Sequence, residues 1–174
     1  MNEELIQQAI QCLAIQNVAL RQARLDLADE FDPALAPRDL LVQFRAAAKR
    51  AHQLEFQIEN GPPQRHFQVE FECGLRLADA ALIRDDDPAT GQVAEIQAMF
   101  LADYLIKPDS TPDKASLDAF ASVNVGYHVW PYWREYLQST CARAGLPLIA
   151  LPMYTVPKAN QAAKKTPRRK LAKV

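Results

Sequence analysis

The sequence predicts an α+β domain, and three observations carry that prediction. Two stretches alternate apolar and polar side chains with period two. Turn residues separate them, so they read as an antiparallel hairpin. Apolar stripes of helical spacing lie before and after the strands rather than between each pair, which argues against a βαβ alternation.

Taken in order, Glu3 to Gln16 reads as a helix, with Leu5, Ile6, Ile10 and Leu13 on one stripe and acids in its first turn. Val18 to Leu27 reads as a strand. Its apolar positions switch from Val18 and Leu20 to Ala23, Leu25 and Leu27, which places a bulge or bend between them. Leu40, Leu41, Phe44, Ala48 and Ala51 have helical spacing, as a helix or as part of a long irregular crossover. Leu54, Phe56 and Ile58 then alternate with Glu55, Gln57 and Glu59. Asn60-Gly61-Pro62-Pro63 is turn chemistry, and it leads into a run from His66 to Ala78. There Phe67, Val69, Phe71, Cys73, Leu75 and Leu77 take one face, against Gln68, Glu70, Glu72, Gly74 and Arg76. The hairpin therefore has one buried face and one wet, acidic face. Val93 to Ile106 reads as a further strand of mixed pattern, in which Ile96, Ala98, Phe100 and Ala102 alternate and Tyr104 keeps that phase. Asp113 to Ser122 is a short helix, and a stronger one begins around Pro131, with Trp130, Trp133, Leu137, Cys141 and Ala144 at three- and four-residue steps. Gly145 caps it and Leu146-Pro147 stops it.

The net charge of −1 hides a division. Lys158, Lys164, Lys165, Arg168, Arg169, Lys170 and Lys173 face no acid in the last stretch. Setting those seven aside leaves 13 basic residues against 21 acidic ones, so residues 1–157 carry −8. The expectation is one domain over 1–157 and a basic disordered tail over 158–174, since the tail has too little apolar surface to offset ordering. No apolar run approaches the ~18 residues of a membrane span, and the start is acidic where a secretory signal is basic. The expected location is the cytoplasm. Cys12, Cys73 and Cys141 are scattered without metal or disulfide spacing and read as small buried hydrophobes.

Catalytic chemistry finds little support. His52, His66 and His128 share no ligand spacing, and five glycines form no phosphate-cradling loop. Glu55, Glu59, Glu70 and Glu72 read as solubilising charges, and Asp85-Asp86-Asp87 lacks the spacing of a calcium loop. No cofactor or metal is expected, and the protein is not expected to be an enzyme. The tail has no aromatic residue for base stacking, so nucleic-acid binding through it is the weaker alternative. What remains is apolar. Tyr127 to Tyr136 concentrates five of the fourteen aromatic residues, the pattern of a core or an oligomer interface.

The run Trp130-Pro131-Tyr132-Trp133-Arg134-Glu135, followed by Gly145-Leu146-Pro147-Leu148-Ile149-Ala150-Leu151-Pro152, resembles the SecB export chaperones. They carry an aromatic-Pro-Tyr-x-Arg-Glu helix and a proline-leucine exit from it. The resemblance covers roughly residues 17–152 and is strongest over 124–152. It implies a SecB-like four-stranded antiparallel sheet backed by helices, here with an added N-terminal helix, assembling as a dimer of dimers. It also implies ATP-independent holding of unfolded polypeptides in an apolar groove, with delivery of preproteins to the SecA motor. On that reading Phe31, Leu35, Leu40, Leu41, Phe44, Trp133 and Tyr136 are groove wall, while Trp130, Pro131, Tyr132, Leu137 and Cys141 are oligomer interface or core. Two departures point to the toxin–antitoxin-associated branch, whose client is an antitoxin. The family's acidic motor-docking positions align with Asn17, Arg21 and Gln97, and the usual second helix after the exit is replaced by Met153-Tyr154-Thr155-Val156-Pro157 and the basic tail.

Overall fold

The computed structural model describes residues 3–32, 39–83, 90–155 and 169–170. Helix α1 (Glu3–Cys12) precedes four long strands, β1 (Leu13–Leu27), β2 (Leu40–Phe56), β3 (Gln64–Asp79) and β4 (Gln92–Ile106). Helices α2 (Lys114–Val123) and α3 (Val125–Arg143) follow, and a two-residue strand β5 (Arg169–Lys170) comes last. The sheet order is β1-β4-β3-β2-β5, and every pairing is antiparallel. The α+β class and the four long strands match the expectation. The expected disordered tail lies outside the described residues except for β5.

The core sits between the helices and one face of the central strands. Phe67, Val69, Phe71, Cys73, Leu75 and Leu77 on β3 stand opposite Tyr104, Ala102, Phe100, Ala98, Ile96 and Ala94 on β4. All of these are buried. Pairs of large residues (Phe67 with Tyr104, Phe71 with Phe100, Leu75 with Ile96) alternate along the ladder with pairs that contain an alanine (Ala102, Ala98, Ala94), which leaves hollows into which the helix layer interdigitates. The switch of phase in β1 is a true irregularity, with the register shifting between Leu20 and Gln22 and again between Ile15 and Asn17.

Three element boundaries differ from the sequence reading. The first helix stops at Cys12, not Gln16, because Leu13 already pairs with Ile106 in the sheet. Residues 40–51 are neither helix nor irregular crossover but the first part of a 17-residue strand. A register shift between Ala48 and Arg50 moves its helix-side positions from Phe44 and Ala48 to Ala51. That bulge converts a period of two into steps of four and three, which mimic a helix. The third difference is α3, which starts six residues before Pro131 and carries that proline inside.

The hairpin register also corrects the face assignment. Leu54 stands opposite His66 and Phe56 opposite Gln64, so both lie on the face away from Phe67. In the turn, Asn60 rather than Gly61 takes the left-handed conformation, with φ of 63°. Asn tolerates that region better than most residues. Asp113 caps α2, its carboxylate accepting from the Ser116 N–H at 2.7 Å. Gly145 ends α3 as expected, with φ of 68° and the Leu146 N–H reaching the Cys141 carbonyl at 2.9 Å.

Trp133 is the largest of the fully buried side chains, at 0% exposure. Its ring stacks on Tyr136 at 6.1 Å, and its indole N–H has no acceptor. It is held by area alone. Trp133→Ala should therefore cost about 3–5 kcal/mol, whereas Trp133→Phe should cost much less, because it also removes an unsatisfied donor. Chemical denaturation of both variants checks this; equal losses would show that the indole N–H carries the stability.

Candidate functional site

A helix is about 10 Å across and strands are spaced about 4.8 Å apart, so one helix covers roughly two strands. Helix α3 turns Gly126, Val129, Trp130, Trp133, Leu137, Thr140 and Cys141 toward the sheet. Its exit segment is strapped alongside. The Trp130 indole N–H donates to the Pro152 carbonyl at 2.9 Å, and Tyr154 packs on the Trp130 ring at 5.3 Å. Leu146, Ile149 and Leu151 are buried beneath. Gly126 makes room for the strap, since a Cβ there would fall on the Tyr154 ring.

The outer strands are left uncovered on this same side. On β1, Ile15, Leu20, Leu25 and Leu27 stand opposite core residues of β4, which fixes their direction, yet they are exposed. Leu20 shows 45% of its surface. On β2, Val42, Phe44, Ala46 and Ala48 face the same way, and Phe44 is 36% exposed. The fold thus carries two apolar rows, one along each flank of the helix layer. Sequence alternation alone gave no sign that the β1 row is uncovered; β1 had read only as a strand with a bulge or bend.

The residues expected to form a groove wall divide. Leu40 and Trp133 are buried in the core cluster, and Leu41 is buried as well but stands opposite Ala78, on the face away from Leu77 and outside that cluster. Phe31 and Tyr136 are half-buried against the core, and Phe44 is the most accessible of the set. Leu35 lies outside the described residues. Among the five assigned to interface or core, Trp130, Leu137 and Cys141 are core, whereas Pro131 and Tyr132 face outward. With Tyr127, Leu148 and Met153 they leave α3 an exposed aromatic and apolar outer side.

The opposite face of the sheet is polar but not a free acidic surface. Glu72 pairs with Arg45 at 3.1 Å and Lys49 at 2.6 Å, and Glu70 with Arg50 at 4.0 Å. His66 meets Asp103 at 2.9 Å, with the Phe56 ring edge-on to the imidazole at 5.1 Å. Asn17 stands opposite Asp103, Gln97 opposite Arg24, and Arg21 occupies the β1 irregularity.

The titratable groups of the core are held neutral. Tyr104 bonds to His128 Nδ1 at 2.9 Å; burial raises the phenol and lowers the imidazole. Burial pushes the Cys73 thiol up to about 12, with the Glu72 charge adding to it, and the Cys141 thiol to about 11. Among the described residues no group of His, Cys, Asp and Glu could hold a metal ion. No described helix is long and apolar enough to cross a membrane.

This is a SecB-like fold. The Mycobacterium tuberculosis SecB-like chaperone Rv1957, solved in complex with a ChAD peptide from the Rv1956 HigA1 antitoxin, superimposes with a TM-score of 0.66. The match covers 89% of this chain and 99% of that one at 20% identity. No protein-family model and no curated protein sequence matches the chain.

The thiols give a test of the packing. A raised folded pKa favours the neutral thiol, so the linked stability is intact below about pH 9, the ordinary value, and is lost as pH climbs through 11 and 12. Alkaline unfolding should be shallower in Cys73→Ala with Cys141→Ala. In the native wild-type chain, a maleimide at pH 8 should label half-exposed Cys12 and spare the other two. Equal labelling of all three would contradict the packing.

Proposed function

We propose that the protein is an ATP-independent holding chaperone whose client is an unfolded segment of one dedicated partner, an antitoxin. The observation that carries this reading is the pair of uncovered apolar rows on the helix side of the sheet. Exposed leucines and a phenylalanine in register with core residues mark surface built to be covered. An extended chain laid beside such a row gains apolar contact, and the adjoining strand edge offers backbone hydrogen bonds without reading sequence. The likeness to a chaperone that holds an antitoxin peptide supports the same choice.

The two rows take different occupants. The β2 flank, with Phe44, Val42 and Ala48 and with Phe31 and Tyr136 as further apolar contacts, is the client side. The β1 flank is the self-association side: the outer edge of this 15-residue strand meets no other strand among the described residues, and the strand carries Ile15, Leu20, Leu25 and Leu27. A homotetramer would use this flank together with the exposed outer side of α3. Delivery to SecA is not part of the reading. Asn17, Arg21 and Gln97 supply no acid, and nearby Asp103 is already engaged by His66. Little charge remains to attract a basic docking module. The role read here is holding rather than catalysis, which rests on the apolar character of the two rows, and the cytoplasm remains the expected location.

Phe44→Ser should leave stability within about 1 kcal/mol, because the ring is already part-exposed. Client affinity should fall about 2- to 5-fold, because the third of the ring still exposed carries about a third of the roughly 1.5–3 kcal/mol that full burial is worth. Suppression of aggregation of a reduced, carboxymethylated model protein measures the loss; unchanged suppression would remove the β2 flank from the function. For self-association, Leu20→Asp with Leu25→Asp places charges in the β1 row and should shift light-scattering mass toward smaller species. A mass unchanged at micromolar concentration would show that the copies meet elsewhere.

A further inference from the structure

The edge of β2 is not wholly bare. Arg169 and Lys170 lie antiparallel to it, Lys170 opposite Leu41 and Arg169 opposite Val42. The chain has therefore placed part of its own basic tail on the strand that flanks the client side. Two physical features favour that position.

The first is charge. The end of the sheet where Leu41 and Val42 sit also carries Asp39 and Asp79, with Glu95 and Asp26 on the farther strands, where Arg76 stands opposite Glu95 and Arg24 pairs with Asp26. Asp39 and Asp79 are nearest, since Leu40 pairs with Asp79 and the Ala80 N–H bonds to the Asp39 carbonyl. Against this stands a tail of seven basic residues and no acid over 158–174. The body at −8 and the tail at +7 are complementary, and tethering keeps the local concentration of the tail high.

The second is backbone chemistry. An edge strand presents unpaired N–H and C=O groups, and among the described residues β2 has no other strand on that side. Residues 156–168 could reach at most about 45 Å when extended, ample for a sheet four strands wide at about 4.8 Å per strand.

We propose that the C-terminal tail is a tethered edge strand, drawn to the acidic end of the sheet, that occupies the start of the β2 edge and competes there with an extended client. The consequence for holding rests on the client lying along β2; the docking of the tail does not. Phe44 is two residues beyond the tail's pairing at Val42, so a client strand that covers Phe44 and extends toward the start of β2 meets the tail. A client must displace a weak, salt-sensitive strand. Clients that pair only loosely with the edge are thereby rejected, and those that grip Phe44 and the edge together are admitted.

The experiment compares the full chain, a chain ending at Pro157, and a full-length variant with Arg168→Glu, Arg169→Glu and Lys170→Glu. Hydrogen exchange at the amides of residues 40–44 is read at low salt and at about 0.5 M, where the Debye length shrinks below ~5 Å. Affinity for a carboxymethylated model protein is measured in parallel. In the full chain these amides should exchange at least threefold more slowly than in the truncated or charge-reversed chain. High salt should erase the difference, and a synthetic peptide of residues 158–174 should restore protection to the truncated chain. Client affinity should rise at least threefold on truncation. Equal exchange in full and truncated chains overturns the docking. Altered exchange with unaltered client affinity overturns the competition. Absence of client binding by every chain defeats the holding function itself, and exchange then decides the docking alone.

Discussion

The organisation of this protein follows from a mismatch of widths. A sheet of four long strands is roughly twice as wide as the helix that lies on it. Helix α3 saturates β3 and β4 with Val129, Trp130, Trp133, Leu137 and Cys141, and the strap from Leu146 to Tyr154 seals its flank. Over the outer strands the cover is partial: Val18 on β1 is buried and Val42 and Ala48 on β2 pack against the core, but Ile15, Leu20, Leu25, Leu27 and Phe44 stay exposed. Their inward-facing apolar side chains keep the direction of core residues without the burial. The function proposed here is a consequence of that incomplete layer.

Rigidity at the centre makes the exposed margins usable. Trp133, Tyr104, Phe71 and Leu137 are fully enclosed, and the Tyr104 phenol is satisfied by the half-buried His128 ring, while the Trp133 indole N–H finds no acceptor among the described residues. On the other side of the sheet, ion pairs between β2 and β3 hold the edge strand through Glu70 and Glu72. A flank anchored on both faces of its neighbour can present Phe44 without collapsing over it. The sheet's polar face, with its acids paired, offers an extended hydrophobic client little.

How much of this was legible in the sequence depended on burial. β3 and β4 are covered on one face along their whole length, so strict alternation from Phe67 to Leu77 and from Ile96 to Tyr104 announced them. Gly145 and Asp113 marked helix ends because their chemistry is local. β2 was hidden because an exposed edge strand needs no strict pattern, and its bulge near Lys49 gave Phe44, Ala48 and Ala51 a helical rhythm. The start of α3 was hidden by Pro131, which reads as a beginning yet sits inside the helix. Of the expected groove wall, Phe44 stayed exposed and Phe31 and Tyr136 half-buried, while Trp133 and Leu40 went to the core and Leu41 is buried on the sheet's other face. Residue type cannot separate those outcomes, since a tryptophan suits a core and a groove equally well. The β1 row was invisible for the same reason: exposure depends on which helix lies above, not on the strand's own alternation.

The central claim is that clients lie on the helix side of the β2 flank. Site-specific photo-crosslinking tests it most directly, with a photoreactive phenylalanine analogue placed in turn at Phe44, at Leu20 on the β1 flank, and at Leu101 on the polar face. Incubated with a reduced, carboxymethylated model protein, the chain labelled at position 44 should form the dominant client adduct. Position 20 should crosslink to a second copy of the chain, and position 101 should give neither. A dominant client adduct from position 101, or none from position 44, would contradict the account.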